Sequence, residues 1–332
     1  MIKRTWLVTG LVALAAMLSL GWEYSRAQAP ATQPTAASAA SAPALPPPAR
    51  TLIAPFDGIT ITVYNTGDLH DQSGNLARIA AFVAKQRKEE NVIFVDAGDF
   101  LNKGEPWQPA TQGEGMIALM AACGYDAVAM GNHDYIFGKE PILDLVVKYP
   151  KFPLTLCNMR WSKEDLPRAK GIARYRIVEL KGVKVAVVGS ASHYTNHIGG
   201  VPFPMYHERD AYKELLPQLR AKADFVVFIS HLFDGSDRNL LDAWKEDSPP
   251  VMIGAHTHGR LVTWVNNTLL VKGGHSGLAV GKTVIQYDPA AKRVVAAAAK
   301  TITVGKDWPE DEQVKALREK LMSAAAGGNS KP

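Results

Sequence analysis

Cysteine is scarce. Cys123 and Cys157 are the only two in 332 residues, which excludes a small disulfide-stapled scaffold and any zinc module built from four thiolates. Their flanks, Met120-Ala121-Ala122 and Leu154-Thr155-Leu156, are largely apolar, so two buried free thiols are expected, although an oxidising compartment would permit a disulfide. Clustered basic charge is missing too. No run of four Lys or Arg occurs, and two of the +5 net charges belong to the first 27 residues. Nucleic-acid binding needs basic residues gathered on one face, so no nucleic-acid polymer is expected as a partner. Beyond the N-terminus no apolar run approaches the ~17–25 residues of a membrane helix. No internal repeat is present, which excludes a solenoid.

What is present begins with an address. Lys3 and Arg4 precede an apolar stretch bounded by Trp6 and Trp22, and Ser25-Arg26-Ala27 offers small residues to a signal peptidase. Residues 1–27 are therefore expected to be a signal peptide, with a retained inner-membrane anchor as the alternative, since the flanking tryptophans resemble interfacial anchors. Either way the body is exported, to the periplasm or the cell exterior. Residues 28–50 are mostly Ala, Pro, Ser and Thr and are expected to form a disordered linker, because they bury too little apolar surface to offset ordering. The folded body should span 51–305, followed by a helix over 306–323 and a flexible tail over 324–332.

Within the body, short apolar runs alternate with helical patterns. Runs at 59–64, 92–95, 127–130, 183–188, 225–229 and 251–253 are rich in β-branched residues, as strands buried on both faces are. Leu76, Ile79, Ala80 and Val83 mark a helical stripe, and a second helix ending near Cys123 meets Gly124 as a stop. Strands are expected again at 268–271, 282–287 and 293–298, before a closing helix carrying Val314, Leu317 and Leu321. The order predicts a layered α/β sandwich with two sheets.

Polar residues follow these runs with regularity. Asp68 and His70 follow the first, Asp99 the second and Asn132-His133-Asp134 the third; His231 and then His256-Thr257-His258 follow two later ones. In α/β folds ligands collect outside the carboxyl ends of the strands, so five strands deliver oxygen or imidazole donors to one rim. In an extended segment residues two apart point the same way, letting Asp68 and His70 share an ion; His256 and His258 would do the same unless a bend sent them to two adjacent ions. Gly67, Gly98 and Gly131 permit tight turns before the donors. Carboxylate, amide and imidazole without thiolate suit Mn, Zn, Fe or Co.

This motif set resembles the calcineurin-like metallophosphoesterases, whose pattern is Asp-x-His, Gly-Asp, Gly-Asn-His-Asp/Glu, a lone His and Gly-His-x-His. Asn65-Thr66-Gly67-Asp68-Leu69-His70, Asp96-Ala97-Gly98-Asp99-Phe100, Gly124-Tyr125-Asp126-Ala127 and Ser230-His231-Leu232 look like the secreted 5′-nucleotidase and UDP-sugar hydrolase branch. The resemblance implies a four-layer α/β/β/α sandwich of two packed mixed sheets. It implies two divalent ions: Asp68, His70 and His258 on the first, Asn132, His231 and His256 on the second, and Asp99 bridging. It makes His133 the non-ligand histidine over the substrate and Asp134 the residue that orients it, with Asn132 and His133 touching the phosphoester. Two departures stand out. Ala255 replaces the usual Gly before His256, which adds a methyl near the second ion. About thirty residues follow the last expected strand, too few for the branch's second, C-terminal domain, so nucleotide specificity is not implied.

The expected activity is hydrolysis of small phosphomonoesters, nucleotides among them, by in-line attack of a metal-bridging hydroxide. The same centre on phosphodiesters, cyclic nucleotides, UDP-sugars or thiosulfonate esters is the alternative enzyme. A tethered, non-catalytic metal-binding scaffold is the alternative of another class. No protein partner is expected. His275, in a glycine-rich loop near the rim, is a candidate substrate contact. His193 and His197 read as a solvated pair, and Asp96 and Asn158 as strand-end caps or supports of the donors.

Overall fold

The computed structural model describes residues 46–105, 111–193 and 205–328. The signal segment, most of the linker and His197 lie outside them.

Two sheets form the centre. The first contains β1 (Ile59–Thr66), β2 (Val92–Asp96), β3 (Ala127–Val128), β10 (Ala279–Asp288) and β11 (Arg293–Thr303), in the order β11-β10-β1-β2-β3. The second contains β4 (Arg176–Leu180), β5 (Val183–Gly189), β6 (Phe225–Ile229), β7 (Val251–Gly254), β8 (Arg260–Val265) and β9 (Thr268–Gly273), in the order β4-β5-β6-β7-β9-β8. Both sheets are mixed. β1, β2 and β3 run parallel, as do β5, β6, β7 and β9, while β10, β11, β4 and β8 pair antiparallel with their neighbours.

The two-residue period of a strand divides each apolar run between two cores. Ile61, Val63, Ile93 and Val95 face Val185, Val187, Val227, Ile229, Ile253 and Val271 between the sheets. Tyr64, Val92 and Phe94 point outward beneath α1 (Leu76–Glu89), α2 (Glu114–Cys123), α3 (Lys139–Lys148) and α6 (Glu312–Gly328). Ala186, Val188, Phe228 and Met252 point outward beneath α4 (Glu208–Lys222) and α5 (Asp234–Trp244). The result is the four-layer α/β/β/α sandwich. Cys123 and Cys157 are buried free thiols, one in each outer core.

Three details differ from the sequence expectation. β4 and β8 were not legible as strands: both lie at sheet edges and mix Arg, Glu and Trp with partly exposed apolar residues, so neither shows a continuous apolar run. The end of the expected linker is paired. Ala49 N–H donates to Val295 O at 2.7 Å and Ala297 N–H to Ala49 O at 3.1 Å, because the free edge of β11 offers unused backbone groups. The closing helix starts at Glu312 rather than at 306 and continues to Gly328, through part of the stretch expected as tail. Asp311 sets its start by accepting from the N–H groups of Gln313 and Val314, both at 3.0 Å, and three consecutive alanines carry it onward.

Candidate metal centre

The carboxyl ends of β1, β2, β3, β6 and β7 open onto one rim, and the loops that leave them are tied together through the backbone. Asp68 N–H donates to Gly98 O and His70 N–H to Asp99 O, each at 2.8 Å. The segments are not extended, contrary to the expectation for Asp-x-His and His-x-His. Asp68, His70, Asp99, His256 and His258 all have left-handed backbone, with φ of 50°, 48°, 55°, 79° and 58°. Such conformations cost of order 1–3 kcal/mol each in a non-glycine residue and persist where the surroundings fix them. The left-handed turns still deliver Asp68 and His70 to one donor group, while His256 and His258 part to two. Gly98, at φ 89°, and Gly131 let two loops touch: a Cβ on Gly98 would strike the Gly131 backbone, and one on Gly131 the Asp99 carboxylate.

Two donor groups result. Asp68, His70 and His258 form one and Asp99, His231 and His256 the other, each offering ligand atoms within 4.8 Å of one another. In the first, His70 Nε2 and His258 Nε2 are 2.9 Å apart and lie 3.9 and 3.8 Å from Asp68 Oδ1. In the second, His231 Nε2 is 3.1 Å from Asp99 Oδ2. The groups adjoin, since the same Asp99 oxygen is 3.8 Å from His70 Nε2. Two donors each about 2.1 Å from one ion lie roughly 3.0–3.4 Å apart at octahedral to tetrahedral angles, so the His70–His258 and His231–Asp99 separations are close to those of donors that share a cation, and the Asp68 contacts are somewhat wider. Asn132 supplies a further sign: its Oδ1 is buried without a hydrogen-bond partner, an acceptor left for a ligand. The residues fit a pair of divalent ions.

Charge and burial prepare these donors. Burial pushes His70 and His256 down to about 4, so both are neutral with a free lone pair at neutral pH. Burial alone would raise the Asp99 carboxyl, but the neighbouring His231 imidazole outweighs it and holds Asp99 well below the usual carboxylate range. Burial likewise lowers His231, yet the Asp99 and Asp68 carboxylates lift it to about 9. A cation would replace that proton. His231 Nδ1 lies 2.7 Å from Ala97 O and donates to it, which turns Nε2 toward Asp99.

His133 lies beside the first group, its ring edge-on to His70 with centroids 5.0 Å apart, and it is half-buried. The partner expected to orient it is not the one observed. Asp134 accepts from the N–H groups of Asp99, Leu101 and Gly131 at 2.8, 2.9 and 2.7 Å, so it shapes the loop rather than the ring. The reason is that Asp134 is completely buried under the loop. The ring partner is Asn102, whose Nδ2 is 2.9 Å from His133 Nδ1. Donation from that amide places the imidazole proton on Nε2.

Sequence reasoning also missed Lys272. It is buried at the end of β9, and its ammonium lies 2.8 Å from Leu232 O, Ala255 O and Asp234 and 2.9 Å from Asp237. One cation thereby staples the His231 loop to the His256 loop. The Ala255 methyl packs in the inter-sheet core, where a Cβ on Gly67 would meet it at 2.8 Å. His275 stacks on His258 with centroids 5.2 Å apart, and Phe233 sets its exposed ring edge-on to His256 at 4.1 Å. Asp96 is completely buried and accepts from Thr66 Oγ1 and Gly98 N–H, which supports the turn before Asp99. Asn158 instead binds the backbone of Ala191 and Tyr206, a structural role. His193 is paired with Glu208 rather than being a merely solvated residue.

A fold of two packed mixed sheets with a donor-rich rim defines a metallophosphoesterase-type body. The chain belongs to the calcineurin-like phosphoesterase family, whose profile matches residues 61–260. It is 28% identical over 225 residues to rat 5′-nucleotidase, covering 61% of this chain and 38% of that one. It is 26% identical over 273 residues to the uncharacterized metallophosphoesterase YunD of Bacillus subtilis, covering 80% and 58%. Among solved structures, a 5′-nucleotidase precursor from Thermus thermophilus superposes with a TM-score of 0.70 at 22% identity, over 82% of this chain and 60% of that one, and shares the fold.

Proposed function

We propose that this protein is an exported, metal-dependent hydrolase of small phosphomonoesters. The observation that carries the reading is the pair of adjoining donor groups around Asp68 and Asp99, with the half-buried His133 ring beside them. Asp68, His70 and His258 would hold one divalent ion and Asn132, His231 and His256 the other, with Asp99 between them. Such a pair, when bound, supplies charge neutralisation for a phosphoryl group and a water that is nucleophilic at neutral pH.

The chain's own residues do the rest. Asn102 holds His133 Nδ1, which leaves the neutral ring with its proton on Nε2 as a hydrogen-bond donor that would stabilise charge developing on the leaving oxygen. Burial lowers the His133 pKa, which keeps the ring neutral and its Nδ1 lone pair free for Asn102. Asp134 fixes the loop carrying Asn132 and His133 by holding three backbone N–H groups. His275 and Phe233 border the groups and are the first candidates to meet the leaving group. Lys3, Arg4, the apolar stretch from Trp6 and the Ser25-Arg26-Ala27 site support delivery to the periplasm or cell exterior.

The test is to strip the purified protein with chelator, restore Mn, Zn, Fe or Co singly, and compare p-nitrophenyl phosphate with its bis-ester. The reading expects metal-dependent turnover of the monoester, lost in Asp99→Asn. Faster turnover of the bis-ester would identify a diesterase, and a fully metallated protein inert on both would favour the scaffold.

A further inference from the structure

A third donor group stands apart from the two described. The loop after β5 and the start of α4 bring His193, His207 and Glu208 together, with one donor atom of each within 4.8 Å of the others. Glu208 is completely buried, yet among the described residues no Lys or Arg reaches its carboxylate. Its neighbours are the His193 ring, with Nδ1 at 3.0 and 2.8 Å from the two oxygens, the His193 N–H at 3.2 Å, and His207 Nδ1 at 3.5 Å. The two imidazoles stack over it with centroids 4.8 Å apart, and their outer sides remain 30% and 45% exposed. Tyr135 and Cys157 also lie within electrostatic reach of Glu208 and bring no positive charge.

A buried carboxylate persists when it is paired or when it coordinates a metal. We propose that His193, His207 and Glu208 form a zinc site distinct from the dinuclear centre. Two imidazoles and one carboxylate are a donor set that zinc accepts with water in the remaining position, whereas Mg and Ca require mostly oxygen. The 3.5 Å between His207 Nδ1 and Glu208 is the edge expected when two donors sit about 2.0–2.2 Å from a tetrahedral ion, while the His193 contacts of 2.8 and 3.0 Å are hydrogen-bond distances that would open as an ion replaced the proton. The competing description is a plain His193 imidazolium–Glu208 ion pair, with His207 Nδ1 only accepting from Arg209 N–H at 3.2 Å to cap α4.

The site sits beside the rim. Ala191 bridges to Met130, two residues before Asn132, and Ser190 N–H donates to Ile229 O, two residues before His231. An ion at Glu208 would therefore brace the loops that carry two of the other donors.

The discriminating variant is His193→Lys, which keeps a positive charge over Glu208 but removes the imidazole lone pair. Full-length protein is saturated with zinc, freed of unbound metal by gel filtration and its metal counted by elemental analysis, with cobalt(II) absorption as a second readout. The proposal expects His193→Lys, His207→Ala and Glu208→Gln each to hold one equivalent less than wild type, and to lose one component of the cobalt spectrum. Melting of the chelator-stripped His193→Lys protein should match stripped wild type, showing that the fold is intact. Equal zinc content in wild type and His193→Lys would overturn the site and leave the ion pair. The count is independent of phosphoesterase activity, so a failure of that function would not be mistaken for a failure of this site. Should Glu208→Gln not fold, the two histidine variants still decide.

Discussion

His231 is completely buried, whereas the His258 side chain is 43% exposed, although both serve adjoining donor groups. The deeper group is built from inside the fold. His231 is anchored on Ala97 O, its loop is stapled by Lys272, and Asp99 lies under a loop held by Asp134. The outer group depends on Asp68, which accepts from His256 N–H at 3.1 and 2.9 Å, and on a His258 ring resting against His275. Equal donor chemistry thus meets unequal support. The deeper ion should be bound tightly and exchange slowly, the outer one more readily.

Asp99 spans both groups, so its removal should abolish the contrast altogether. Asp99→Asn is expected to lower turnover by at least ~10³-fold, since losing the shared carboxylate removes several kcal/mol of transition-state stabilisation, and metal content should fall at both positions. His133 lies outside the donor shells. Its change to Ala should cut turnover by ~10²–10⁴-fold with metal content kept; Asn102→Ala should act in the same direction but less strongly. Loss of metal along with activity in His133→Ala would assign that ring to coordination instead.

Lys272→Met tests the deeper support. It leaves the completely buried Asp237 without its cation, a change that costs ~3–5 kcal/mol for a broken buried pair and is readable by urea denaturation. His258→Ala should weaken the outer ion alone, seen as loss of part of the bound metal on dilution while the deeper ion stays. The smallest effect concerns pH. In the metal-free protein His231 is raised from 6.5 to about 9, so its pairing with Asp99 stabilises fully below pH 6.5 and is lost as pH rises through about 9. The stability gap between stripped wild type and His231→Gln should narrow over that window. A gap that stays level from about pH 7.5 to 9 would mean His231 is neutral before metal arrives.

The same inequality separates what was legible in the sequence from what was not. Asp68, His70, Asp99, His231, His256 and His258, which the fold gathers into two donor groups, could be picked out because they and Asn132 follow directly after buried strands. The central strands were legible because both their faces are covered, which yields continuous apolar runs. The supports were hidden. Lys272 ends an apolar strand and reads as a solvated strand-end lysine until the fold brings Leu232 and Ala255 to it. Asn102 lies 31 residues from its His133 partner, and the adjacent Asp134 was the natural but mistaken choice. The left-handed turns at the donors also escaped, because non-glycine residues there carry no compositional mark. Spacing alone therefore suggested extended geometry for pairs that the backbone delivers by turns.

The central claim is that Asp68 and Asp99 organise two adjoining ions. Anomalous diffraction from crystals of manganese-loaded protein tests it most directly. The account predicts two peaks about 3.5–4 Å apart, one on Asp68, His70 and His258 and the other on Asn132, His231 and His256, with Asp99 touching both. A single peak at saturating manganese, or two peaks without Asp99 between them, would contradict it.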